Sequence, residues 1–387
     1  MEELPAIAGG KSMFDKFMPI ARPDLPPLDE IKPYLDDMFE TGMITNHKFV
    51  KRFESAIAEY LQVKHSICVS SGTSALMLAA KALGLNGDVI TPSFTFSATV
   101  HALSWCNLNP VFVDIDRETF NIDTSKIEEA ITKKTSAIVP VNVFGNPCEI
   151  DKLEKIAKEF NLKLLFDSAH AFGTTYRNKK VGNFGDAEMF SLTPTKVLTA
   201  GEGGIIATNN EDVCKQIILD REYGKMPDYD CKTIGLSARM AEFNAILGFH
   251  NLQRLEENIK RRNELYKIYT SELRDIKGLT LQKLNKNADC SMKDFAIVID
   301  NKAFGINRDK LTDALTKENI SWRKYFYPPV HKETAYKNLE ISKKTLPNTD
   351  FISESILTLP FFTAMTDEDV IKICNAIKRI NKWAKSR

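Results

Sequence analysis

Short apolar runs alternate with amphipathic stretches between His65 and Leu192, and this alternation restricts the chain more than any other feature in it. Strands are expected from about His65 to Val69, up to Thr91, and over 111–115, 137–144, 162–166 and 187–192. Ile150, Leu153, Ile156, Ala157 and Phe160 mark one face of a helix between two of them. Strand and helix in alternation predict an α/β fold, with a mostly parallel sheet flanked by helices on both faces. Runs as apolar as Leu164-Leu165-Phe166 fit strands buried on both sides. Sheets of this kind bind ligands at the carboxyl ends of their strands.

Chemistry collects at those ends between Leu164 and Gly204, which read LLFDSAHAFG and then VGNFGDAEMFSLTPTKVLTAGEGG. Asp167 and His170 close one strand; Ser191 and Lys196 follow the next. Read alone, Asp167 suits a strand end or a turn, and Lys196 a solvated surface. Together they are what pyridoxal phosphate (PLP) requires. An aspartate keeps the pyridinium nitrogen protonated so that the ring acts as an electron sink, and a lysine amine forms a Schiff base with the aldehyde. A lysine near its usual pKa of about 10.4 is almost wholly charged at pH 7, so a working base here needs burial or neighbouring charge.

Upstream, HSICVSSGTSALMLAAKALG runs from a strand through Gly72, Thr73 and Ser74 into an apolar helix. A small-residue turn at a helix start offers free N–H groups and the positive end of the dipole to a phosphate, although Ser or Thr there also serves as a plain N-cap. Phe94 and Phe96 follow the next strand, and one of the two is expected in the core.

The string F-D-x-A-H-A-x-G, then G-D-x-x-x-F-S-x-x-x-x-K-x-x-x-x-G-E-G-G, resembles the signature of the PLP-dependent sugar aminotransferases of the DegT/DnrJ/StrS family, which have fold type I. The resemblance implies PLP as cofactor, with Lys196 as the Schiff-base lysine and Asp167 on the ring nitrogen. It places Phe96 over one face of the ring and Ala169 under the other, His170 at the phenolic oxygen, and the phosphate among Gly72, Thr73, Ser74 and Ser191. Ser237 stands where the family has an asparagine that reaches the phosphate of the neighbouring subunit's cofactor, and Arg239 lies beside it. Glu202 resembles a residue near the reacting carbon, with a structural turn role as the equal alternative. Tyr325 and His331, in RKYFYPPVH, match the sugar side.

By the same resemblance the amino donor is glutamate and the acceptor a nucleotide-linked keto sugar. Amination at C4 of a dTDP-4-keto-6-deoxy hexose is the first choice, and C3 the alternative. Sugar dehydratases of the family carry histidine in place of the lysine, which Lys196 opposes. A PLP-binding regulatory protein is the other reading, opposed by the intact Asp167, Ser191 and Lys196. The GLSARM loop and the apolar face of the helix after it lead us to expect a homodimer with sites at the interface.

Two domains are expected: residues 1–250, a large PLP-binding domain with an N-terminal arm, and residues 251–387, a smaller α+β domain. With 52 basic against 51 acidic residues, the chain carries no electrostatic footprint for nucleic acid or an anionic membrane. Met1 to Pro23 has no apolar core of a signal peptide, and no run approaches the length of a membrane span. The seven cysteines are scattered without a C-x-x-C pair. A reducing cytoplasm is the expected location, with no metal site.

Overall fold

The computed structural model describes residues 4–338 and 344–386, so the first three residues of the leader and Arg387 lie outside the described residues. Seven strands form the main sheet: β1 (His65–Val69), β2 (Asp88–Pro92), β3 (Asn109–Val113), β4 (Thr135–Ile138), β5 (Lys163–Asp167), β6 (Ala187–Ser191) and β7 (Gly204–Thr208). Their spatial order is β1-β7-β6-β5-β4-β2-β3. From β6 to β3 every pairing is parallel, and β7 runs antiparallel to both β6 and β1. The strands expected over 137–144 and 111–115 end earlier than their apolar runs, as Ile115, Val143 and Phe144 pack with Phe94 and Phe120, while Val141 keeps a single parallel bridge to Asp167.

Successive residues of the central strands feed opposite layers, as the two-residue period requires. Leu164, Phe166, Phe190 and Ile205 enter the core beneath one face. Leu165, Met189 and Ile206 enter the core on the other. Helices α1 (Leu28–Thr41) and α2 (Lys48–Leu61) contribute Met38, Phe53, Ile57 and Leu61 to the first layer. The second is closed by α3 (Gly72–Ala82), α4 (Ser97–Trp105), which supplies Ala102 and Leu103, and α6 (Glu211–Asp220); α5 (Ile150–Glu159) returns to the first with Leu153 and Ile156.

The long helical stretch expected after the GLSARM loop is two helices, α7 (Glu242–Gln253) and α8 (Leu255–Leu273), separated at Arg254. Leu255 still belongs to the first core, whereas Leu265, Tyr269 and Leu273 enter a separate one. That second core is built on an antiparallel sheet of β8 (Leu279–Leu281), β9 (Phe295–Ile299) and β10 (Ile356–Leu359), with α9 (Arg308–Lys317) and α10 (Asp367–Lys385). On this packing we propose a division into a larger domain, residues 1–250, and a smaller one, residues 251–387.

The leader crosses that division. Ile7, Met13, Phe14 and Met18 pack on the second core. The fully buried Glu318 accepts hydrogen bonds from the Ala6 and Met13 N–H groups at 2.8 Å each and pairs with Arg379 at 2.6 Å. Among the described residues no helix is long and apolar enough to cross a membrane.

Candidate active site

The carboxyl ends of β1, β2, β5 and β6 open on one cavity of about 290 Å³, whose lining includes Gly72, Thr73, Phe96, Asp167, Ala169, His170, Ser191, Lys196, Glu202 and Tyr325. Ten of the sequence-predicted residues therefore meet in one place, brought there by the parallel order of the strands.

Asp167 ends β5 with only 5% of its surface exposed. Its Oδ2 accepts the Thr99 hydroxyl at 2.7 Å, and its Oδ1 the Ala169 N–H at 3.1 Å. Thr99 meets Thr95 in turn at 2.8 Å, so α4 and the turn that leads into it supply a hydroxyl chain behind the carboxylate. Burial pushes the Asp167 pKa up, while the two hydrogen bonds and the charge of Lys196 act against it. The aspartate is thus fixed in orientation and in want of a cationic partner. Ser168 faces away: it takes the Asn142 amide at 2.8 Å and donates to Glu188 at 2.8 Å.

Lys196 leaves the loop after β6. Burial, and next the charge of Lys293, lower its pKa to about 7, which gives it the neutral fraction that a base at neutral pH needs. His170 is buried beside the rings of Phe144 and Phe326, 6.1 and 6.2 Å away, with its plane nearly parallel to both. Its Nδ1 accepts the Phe144 N–H at 3.2 Å, which leaves the proton of the neutral ring on Nε2. Burial, with Lys196 and Lys293 nearby, holds the ring well below the usual histidine pKa, so it stays neutral.

At the other end of the cavity the turn after β1 opens α3. Ser71, which the sequence reading passed over, caps the helix: its Oγ accepts the Ser74 N–H at 3.1 Å, and the Ser71 N–H returns to Ser74 Oγ at 3.1 Å. Ser74 was expected on the phosphate, but it does not line the cavity and its hydroxyl is held by this reciprocal cap. Gly72 permits a close approach to β6, since a Cβ there would stand 3.1 Å from that of Ser191. Gly204 does the same on β7, where a Cβ would lie 2.3 Å from the Ser71 carbonyl oxygen. Of the two aromatics, Phe94 is wholly buried, and Phe96, at 59% exposed, lies free along the cavity.

Besides Ser74, three expected residues lie outside the cavity lining. His331 is buried away from the cavity, with Nδ1 2.7 Å from Ser93 Oγ and Nε2 3.2 Å from Asp350. Both ring nitrogens are engaged, so the ring holds the Pro-Pro turn against β2 rather than presenting itself to a sugar. Ser237 is exposed and Arg239 half-buried over the Tyr223 ring, and neither lines this chain's own cavity. Thr99, Ser71 and Lys293 carry no motif that would have singled them out.

The donor set fits PLP. A buried carboxylate stands at one end, a helix N-terminus with Ser191 and Thr73 at the other, a small Ala169 and a free phenylalanine ring between, and a lysine of lowered basicity at the side. A model of the DegT/DnrJ/EryC1/StrS aminotransferase family matches residues 28–378. The chain belongs to that family. It is a PLP-dependent sugar aminotransferase, and the cofactor expected from the sequence is the family's own. Among its relatives in the DegT/DnrJ/EryC1/StrS family, the dTDP-4-amino-4,6-dideoxy-D-glucose transaminase of Escherichia coli is 35% identical over 364 residues, 93% of this chain and 98% of that one. The crystal structure of DesI with its TDP-sugar product superimposes with a TM-score of 0.92 at 32% identity, covering 98% of this chain and 97% of that one. Spr1654 from Streptococcus pneumoniae in its PLP form gives 0.88 at 26% identity, covering 95% and 99%.

Proposed function

We propose that this enzyme moves an amino group from glutamate to C4 of a dTDP-4-keto-6-deoxy hexose. The observation that carries the reading is the pairing of Lys196, at a pKa of about 7, with the buried Asp167 in one cavity, in a chain similar over nearly its whole length to a dTDP-4-amino-4,6-dideoxy-D-glucose transaminase.

When bound, the cofactor supplies the carbonyl that takes up and returns the amine, and the ring that spreads the negative charge of the reacting carbon. Asp167, oriented by Thr99 and the Ala169 N–H, holds the proton on the ring nitrogen. The start of α3 with Thr73 and Ser191 binds the phosphate, a place where N–H groups and dipole act together. His170 donates Nε2–H to the phenolic oxygen. Phe96 and Ala169 confine the ring between them. Lys196 would carry the proton from the donor's Cα onto the cofactor in the first half-reaction and from the cofactor to C4 of the sugar in the second, a transfer its lowered basicity allows at neutral pH. Glu202 and Tyr325 line the side from which the sugar enters. Ser237 and Arg239 act in the partner subunit's site.

The test is product identification. The purified protein should be yellow, should bleach with glutamate, and should then recover its colour with a keto sugar. Mass spectrometry and NMR across dTDP-, UDP- and GDP-linked keto sugars should find the 4-amino dTDP sugar as the favoured product. A preferred product aminated at C3, or built on another nucleotide, would overturn this choice of acceptor.

A further inference from the structure

An α-amino acid brings a carboxylate into the cavity along with its amine, and that charge needs a partner once water is displaced. The cations that this chain itself contributes to the lining are Lys196, which is occupied with the amine and its proton, and Lys293, with His170 held neutral beside them. Lys293 comes from the short segment before β9, is only 4% exposed, and is fastened by its backbone on both sides. Its N–H reaches the Phe144 carbonyl at 3.0 Å, and its own carbonyl accepts the Arg262 guanidinium at 2.6 Å.

From this geometry we propose that Lys293 anchors the α-carboxylate of the amino donor. The inference rests on the aminotransferase reading above, with glutamate as donor. Asp294 takes the Lys293 ammonium at 2.9 and 2.7 Å on its two oxygens, which accounts for two of its three N–H bonds and leaves the third for a ligand. The Tyr325 ring, 5.1 Å from the ammonium, forms the adjoining wall. The α-carboxylate is selected over the side-chain one by bond lengths. It shares Cα with the amine, so its carbon lies about 2.5 Å from the nitrogen. Lys293 and Lys196 line the same cavity, and among the charges acting on the Lys196 amine that of Lys293 is the largest.

Two variants of the holoenzyme test the assignment: Lys293→Arg, which keeps the charge, and Lys293→Met combined with Asp294→Asn, which removes the ion pair without leaving a buried carboxylate alone. Half-reactions are followed by the absorbance of the bound cofactor, with glutamate, glutamate α-amide and, from the aminated form, the keto sugar. The double variant should keep its cofactor and its affinity for the sugar. Its affinity for glutamate should fall by about ten- to a hundredfold, the loss of one hydrogen bond to a charged group. The α-amide, weak with the wild type, should bind the wild type and the double variant alike, and Lys293→Arg should retain part of the glutamate affinity. Unchanged glutamate affinity, equal losses for glutamate and its α-amide, or a loss confined to the sugar would each overturn the proposal. A wild-type enzyme that fails to react with glutamate would strike the donor reading instead, and this is seen before any variant is compared.

Discussion

Lys196 owes its chemistry to its surroundings: buried and facing a second ammonium, it gives up its proton near pH 7 instead of 10.5. The apoprotein should therefore recombine with PLP at a rate that rises as the pH passes through about 7 and levels off above it, because only the neutral amine attacks the aldehyde. A rise that appears only near pH 10, measured by stopped-flow absorbance, would show that the amine is not desolvated. Lys196→Ala should fold and still bind pyridoxamine phosphate, since the phosphate and ring contacts come from other residues. Its steady-state turnover should fall by at least about a thousandfold. Asp167→Asn should bind PLP more weakly and react about a hundredfold or more slowly, because an amide cannot hold the ring nitrogen protonated. Rates close to wild type would mean that another group holds that nitrogen. The placement of these two side chains in one cavity was legible in the sequence, because the strand-end motif fixes their spacing along the chain. Thr99 and Lys293 were not: one is a helix residue whose hydroxyl meets Asp167 only after α4 packs, and the other arrives from a segment almost a hundred residues downstream.

Elements put these groups in reach of one another through close backbone approach. Gly204 opens β7 under the turn that starts α3, and an added methyl would have to displace a carbonyl oxygen rather than a flexible side chain. Gly204→Ala should cost about 1–3 kcal/mol of stability. It should also lower PLP affinity by about tenfold or more, read by fluorescence titration of the apoprotein, as the turn proposed to hold the phosphate is pushed out of place. Unaltered PLP affinity in a folded variant would show that the turn tolerates the shift. The strands and the helix after β1 were plain from apolar periodicity, and the roles of individual residues in them less so. Ser74 reads as a phosphate ligand by position, yet the helix claims its hydroxyl for the cap. His331 reads as a site residue beside two prolines, yet Ser93 and Asp350 occupy both its nitrogens. In each case contacts within the chain, which a sequence does not display, engage the group that was expected on a ligand.

At the scale of the whole molecule, exposed Phe39 and Phe243 meet edge to face, 5.9 Å apart, near the exposed Met43 and Ile44. An apolar patch of this kind fits a twofold partner, which would also bring Ser237 and Arg239 to the other cavity. A sedimentation measurement should find a homodimer. Mixing Lys196→Ala with a variant altered at Ser237 and Arg239 should recover at most about a quarter of wild-type activity, since half of the randomly paired dimers are mixed and each holds one intact site. No recovery in a verified heterodimer would remove the trans role.

Glu318 decides where this protein can be cut. A fragment beginning at Leu28, where the family match starts, would lose the two backbone donors of the leader and the apolar side chains of Ile7, Met13, Phe14 and Met18. It would leave the Glu318 carboxylate its contact with Arg379 and strip away those two donors. Calorimetry should then record a lower-melting C-terminal portion while the cofactor layer still takes up PLP. A fluorophore attached within the leader would accordingly report on the C-terminal layer and stay silent about the cofactor.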